Sequence, residues 1–204
     1  MKRSIFAAFL TAVILMVCRD VSAAEVEKAS YFGIDGKLVR SNASTDGFKH
    51  NPHHYSIRPH LGFKITNEIS IETSHELHLA SLGKMSNVDD VSAKANSSLL
   101  VVSFEKPFEG MPTFKWFTAA GVSHTKIKMS EFSAGNKVGS RKATRLAPAV
   151  IVGLKQYLGS GISARAFADW RGTNNTKVKQ HSDPNSMHTF KHTFGVGLGL
   201  SKEF

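Results

Sequence analysis

From about residue 30 onward, hydrophobic and polar positions alternate with a period of two through most of the chain. The final stretch shows this most plainly. Phe194, Val196, Leu198, Leu200 and Phe204 fall on one parity, and Gly195, Gly197, Gly199, Ser201 and Glu203 on the other. That is a strand with one greasy face and one small, polar face. A soluble sheet would turn the greasy face inward and show Lys and Glu to water. A second face made mostly of glycine suits a crowded interior instead, with the apolar face turned outward.

The same reading predicts seven more strands. The first runs from Tyr31 to Arg40, the second from Tyr55 to Ile65, the third from Ile69 to Leu79 and the fourth from about Ala93 to Phe104. The fifth spans Thr113 to Thr125, the sixth Thr144 to Tyr157 and the seventh Ile162 to Arg171. In the fourth, Leu100, Val102 and Phe104 share a face, but Leu99 and Val101 stand beside Ser97 and Ser103 on the other, so its facing is open. Thr66 to Glu68, Glu105 to Pro112 and Leu158 to Gly161 carry turn formers and are short. Residues 41–54, 80–92, 126–143 and 172–188 have no readable period and are expected to be long loops.

Four long connections alternating with three short ones describe an all-β, eight-stranded, antiparallel, up-and-down transmembrane β-barrel. Its aromatic positions fit two interfacial belts. Phe32, Phe104, Phe114, Trp116, Tyr157 and Phe204 would mark one edge, and Tyr55, Trp170 and Phe190 the other. A soluble lipocalin-like barrel has the same period and reverses the faces, leaving Arg58, Glu72, Glu76, Arg165 and Asp169 outside. The aromatic placement and the rhythm of the connections favour the membrane arrangement. One outward position departs from it, because His75 falls on the lipid face beside Thr73; a bulge or a lower seat for the third strand is expected.

The chain thus resembles the opacity-protein and OmpA-like family of small outer-membrane barrels, and the terminal Phe204 resembles the signal read by their assembly machinery. The resemblance implies a monomer in the outer membrane of a Gram-negative cell, with both termini periplasmic and the long loops outside. Its partners would be outer-membrane lipid and lipopolysaccharide, the assembly machinery, and an acidic host surface. A pattern of this kind specifies architecture better than activity.

The N-terminus agrees with export. Lys2 and Arg3 precede an apolar run from Ile5 to Val17, and small residues follow at Ser22, Ala23 and Ala24. Residues 1–23 are read as a cleaved signal peptide and 24–204 as one barrel domain. Cleavage removes the single cysteine, Cys18, and takes Lys+Arg from 26 to 23 and Asp+Glu from 16 to 15, a net charge of +8. For an exported chain this surplus points to lipopolysaccharide phosphates rather than nucleic acid.

An inward set of Asp35, Lys37, Arg58, Lys64, Glu72, Glu76, Lys115, Lys155, Arg165 and Asp169 is the strongest site-like feature. An eight-stranded barrel is only wide enough for side chains to fill, so these charges are expected to neutralise one another as a plug. A gated ion path through rearranged pairs is the alternative. A three-residue turn pairing Ile65 with Ile69 sets Arg58 across from Glu76, and those two are expected to pair. His50, His53, His54, His181 and His188 fall in predicted loops; imidazoles at such spacing could bind zinc or copper or switch charge at about pH 6, but no compact two-His plus carboxylate spacing recurs, and they are read as solvated, with no metal or other cofactor assigned. A lipid-modifying enzyme would need serine, histidine and acid together at the rim. Ser123 and His124 point to opposite faces of a strand, and Ser186 near His188 has no evident third member. The function expected is therefore non-enzymatic: a structural or adhesive surface barrel, with a narrow pore as the second reading and a lipid A-modifying enzyme as the third.

Overall fold

The computed structural model describes residues 30–45, 48–50, 53–79, 90–133, 136–179 and 187–204. The predicted signal peptide, Cys18, His181 and Ser186 lie outside these. Nine strands follow in order: β1 (Ser30–Thr45), β2 (Phe48–His50), β3 (His53–Lys64), β4 (Ile69–His78), β5 (Asp90–Phe108), β6 (Met111–Ser133), β7 (Asn136–Gly159), β8 (Ile162–Lys179) and β9 (Met187–Glu203). Each pairs antiparallel with its neighbour, and β9 returns to β1, so eight strands close a barrel. The ninth, β2, is a short return along the far end of β1 that opposes Ala43 with His50.

The faces are those of a membrane barrel. Leu198 is 70% exposed on the outside, whereas Arg58 is fully buried in the lumen. Outward Phe32, Ile34, Leu61, Phe63, Leu100, Val152 and Leu200 form the apolar band. On β7 the band runs from Leu146 to Leu154, a height of roughly 20–25 Å for a strand tilted by about 40°. The reversed, lipocalin-like arrangement is ruled out.

The short connections gather at one end of the barrel with Ser30 and Phe204. Between β3 and β4 the Ile65 N–H donates to Ile69 O at 2.8 Å, and Thr66 Oγ1 accepts from the Glu68 and Ile69 amides at 3.2 and 2.9 Å. This is the expected three-residue turn, and it sets the expected register: Ile57 opposes Leu77 and His60 opposes Ser74. The turn from β7 to β8 is tighter. Gly159, Ser160 and Gly161 all take positive φ (100°, 50° and 73°), which costs the two glycines nothing and sets Ser160 in the left-handed region.

At the other end the strands outrun the expected loops. β6 and β7 stay paired to Ser133 and Asn136, so most of residues 126–143 is hairpin rather than loop. Ile127 is buried there while Lys126 and Lys128 are exposed, a continuation of the period that the density of basic residues masked. β8 likewise continues past Arg171, with a register shift between Gly172 and Thr176. His75 needs no bulge: no register shift breaks β4, and its Nδ1 lies 2.9 Å from the Oγ of the directly opposed Ser98 on the outer face.

Candidate functional site

The lumen is divided lengthwise. Leu99, Val101, Phe117, Ala119, Ala149, Ile151 and Phe167, from β5 to β8, make an apolar wall. This settles the facing of β5: Leu99 and Val101 point inward and Leu100 outward. The opposite side, from β1, β3, β4 and β8, carries the charged tiers at mid-lumen.

Those charges meet because β9 has no side chains in the way. Asp35 on β1 and Arg165 on β8 both oppose Gly199, so they reach each other across it. Arg165 donates from Nε to Asp35 Oδ1 at 2.8 Å and from Nη2 to Oδ2 at 2.7 Å. Its Nη1 donates to Glu72 Oε2 at 2.8 Å, which also accepts from the Tyr31 hydroxyl at 3.2 Å. Arg58, opposite Asp35, donates from Nε to Oδ2 at 2.8 Å, and its guanidinium lies 4.6 Å from the centre of the Phe167 ring. Here two carboxylates face two guanidiniums.

The next tier pairs Lys37 with Glu76 at 2.9 Å and with Asp169 at 2.7 Å. Arg171 Nη2 donates to Asp169 at 2.6 Å and also to Glu76. Arg58 Nη1, 3.6 Å from Asp169, joins the two tiers. Toward the short-turn end, Glu105 accepts from Lys115, Lys155 and the Tyr157 hydroxyl at 3.0, 3.1 and 2.9 Å, and Lys64 pairs with Glu203 at 2.9 Å.

Of the ten expected inward charges, Asp35, Lys37, Arg58, Glu72, Glu76, Lys155, Arg165 and Asp169 are buried, and Lys64 and Lys115 are half-buried. The expected partner of Arg58 is wrong. The register does set it across from Glu76, but its guanidinium turns to Asp35 and Asp169, leaving Glu76 to Lys37 and Arg171. Arg171, His60 and Glu203 belong to the buried set as well, beyond the residues expected there. Tyr157, expected at the lipid interface, points inward to Glu105.

His54 is a second correction. It is buried on β3 rather than solvated in a loop, 4.4 Å from the His78 ring between centroids, and both lie beside Glu76. His53 next to it is exposed as expected. Ser123 is fully buried in the lumen with its Oγ 3.2 Å from Thr125 Oγ1, and His124 projects from the other face, so the two do not meet. Phe204 is 68% exposed, and its amide donates to Ser30 O at 3.0 Å across the closing seam.

Solved structures share this architecture. Neisserial surface protein A aligns with a TM-score of 0.54 and 13% identity over 85% of this chain and 97% of that one. Outer membrane protein OprG from Pseudomonas aeruginosa gives 0.53 and 11% over 85% and 96%. The chain has the fold of the small outer-membrane β-barrels. The outer membrane protease OmpT from Escherichia coli also aligns, with a TM-score of 0.55 and 11% identity over 90% of this chain and 99% of that one. No protein-family model and no curated protein matches the sequence. At these identities the likeness is one of fold, and the same fold carries a protease, so activity has to be argued from this chain's own residues.

Proposed function

We propose that the chain is a non-enzymatic surface barrel of the Gram-negative outer membrane, with both termini periplasmic and the long hairpins outside, where they engage lipopolysaccharide phosphates. The observation that carries this reading is a row of like charges on the extended hairpins. Lys128 on β6 directly opposes Lys94 on β5 and Lys142 on β7. Lys128 and Lys142 are exposed, as is Lys126 one outward step nearer the apolar band.

Like charges set directly opposite one another are destabilising in a sheet. An anion between them reverses the sign of that contribution. On β7, Lys142 stands four residues beyond Leu146, the last outward leucine of the band, which is the height at which a lipid headgroup begins. The same hairpins are what would meet an acidic host surface. Phe204, outward on the closing strand, is read as the residue the assembly machinery recognises.

The test uses barrel refolded into vesicles with and without lipid A, comparing wild type with a Lys128→Ser, Lys142→Ser double variant. Lipid A should raise the unfolding midpoint of the wild type, less so at high salt, and leave the variant nearly unmoved. Equal stabilisation of both would remove the reading. The paired tiers of the lumen favour a closed barrel over a pore, and planar-bilayer recording is expected to be silent; steady unitary conductance would reverse that choice.

A further inference from the structure

At the long-hairpin edge of the charged tiers, three side chains converge with five of their polar atoms unused. His54 is 2% exposed and Glu76 fully buried, and the His78 side chain is 7% exposed. One ligand atom from each lies within 4.8 Å of the other two. Both ring nitrogens of His54, both of His78, and Oε1 of Glu76 have no hydrogen-bond partner. Buried polar atoms are almost always satisfied, and a cluster of unsatisfied ones calls for a missing group.

We propose that His54, Glu76 and His78 form a binding site for a divalent transition-metal ion of the zinc class. The geometry is built into the sheet. Glu76 and His78 are two residues apart on β4 and therefore share a face. Ser56 on β3 opposes His78, which brings His54, one inward step farther along β3, diagonally against it. The Leu79 amide donates to Tyr55 O at 3.0 Å, so the ladder is held up to the site itself.

Glu76 is oriented from behind. Its Oε2 is held by Lys37 and Arg171, which leaves Oε1 directed at the histidines, 3.7 Å from His78 Nε2. Hydrogen bonds of this kind to the far oxygen are how a ligating carboxylate is fixed.

Ligand type decides the ion. Two imidazoles and one carboxylate oxygen suit Zn²⁺, Ni²⁺ or Cu²⁺, whereas Ca²⁺ and Mg²⁺ want a shell of oxygens. The tier beneath offers no surplus negative charge, since Glu76 and Asp169 are already matched by Lys37 and Arg171. Attraction must then come from the imidazole lone pairs, which hard cations use poorly. Beside the site a cavity of about 30 Å³, lined by Glu76, His78, Ser97, Thr125, Arg171 and His192, has room for one water-sized ligand. Three protein ligands and one open position make a site that exchanges its ion, unlike a closed four-ligand structural centre.

The experiment uses untagged, chelator-treated barrel refolded in detergent micelles, titrated calorimetrically with ZnCl2, NiCl2, CaCl2 and MgCl2. One equivalent of Zn²⁺ or Ni²⁺ should bind, and neither Ca²⁺ nor Mg²⁺. His54→Ala and His78→Ala should each weaken binding at least tenfold, and His53→Ala, an exposed neighbour, should not. Heat-modifiable gel mobility shows that each variant is folded, and Co²⁺ titration gives a second readout, a visible d–d band that His78→Ala abolishes. The assignment is overturned if the folded wild type binds no ion, or binds one that the His54 and His78 variants retain. Binding lost in His53→Ala would equally overturn it.

Discussion

Replacing Asp35 by alanine strands two buried guanidiniums, but not equally. Arg165 loses its bonds of 2.8 and 2.7 Å to Asp35 and keeps Glu72 at 2.8 and 3.2 Å. Arg58 loses its 2.8 Å bond and keeps only Asp169, at 3.6 Å. Breaking a buried pair from one side costs roughly 3–5 kcal/mol, because a desolvated charge is left unpaired. Most of that loss should sit on Arg58, so adding Arg58→Ala should recover about 1–3 kcal/mol, the usual coupling of groups in one network. Recovery is partial, since the Arg58 contact with Phe167 goes as well. Equilibrium urea unfolding of vesicle-inserted barrel measures this, read by Trp116 and Trp170, both on the outer face. The parallel cycle of Arg58→Ala with Glu76→Ala should couple by less than about 0.5 kcal/mol. Additive losses for Arg58 and Asp35, with strong coupling between Arg58 and Glu76, would show that direct cross-strand opposition chooses the partner and would refute the network drawn here.

Three further outcomes are expected. The protein should fractionate with the outer membrane and migrate faster unboiled than boiled on a detergent gel; recovery in the soluble periplasm would contradict the outward apolar face. Deleting Phe204 should lower membrane yield by more than its burial of about 2 kcal/mol implies, and equal yields with and without it would place the assembly signal elsewhere. Gly199→Ala should destabilise by roughly 1–3 kcal/mol, because a Cβ there would overlap Asp35 Oδ1 and press on Ile34 O; unchanged unfolding would mean that the Asp35–Arg165 row does not need the gap.

Parity along single strands was enough to place the buried charges, the outward leucines and the turn from Ile65 to Ile69. Carried one or two steps farther it would have reached more. His54 has the parity of Arg58, Arg171 that of Arg165, and Tyr157 that of Lys155. The neighbours Asn51, Pro52 and Gly172 hid this by looking like loop. What parity could not supply is partner choice. Arg58 bonds to Asp35 rather than Glu76 because a long side chain leans toward one of two adjacent strands. Asp35 reaches Arg165 only because of how β1, β9 and β8 are staggered around the barrel. That stagger is a property of closure, and no local stretch encodes it. The three glycines of β9 were the nearest clue, since room on a strand between two charged ones is room for them to meet. The apolar wall was unreadable for a different reason: in β5 both faces are greasy, so alternation says nothing about which is inside.

The lengthwise division of the lumen bears on how the barrel comes to exist. Strands β5, β6 and β7 are hairpin neighbours whose inner faces are apolar at mid-lumen, at Leu99, Val101, Phe117, Ala119, Ala149 and Ile151, so that wall can assemble from contacts between consecutive segments. The charged wall cannot, because Asp35 and Arg165 are 130 residues apart, and Lys37 and Asp169 are 132 apart. Until the two ends of the chain meet, Arg165 stands without Asp35 and Lys37 without Asp169 in a growing low-dielectric space, and water has to stay with them. Joining β1 to β9 therefore releases that water and matches the charges in the same event. A mis-registered seam would leave the apolar wall intact but Asp35 and Lys37 mismatched with Arg165 and Asp169, so the lumen acts as a combination lock that opens to the folded state only when the last strand is seated correctly.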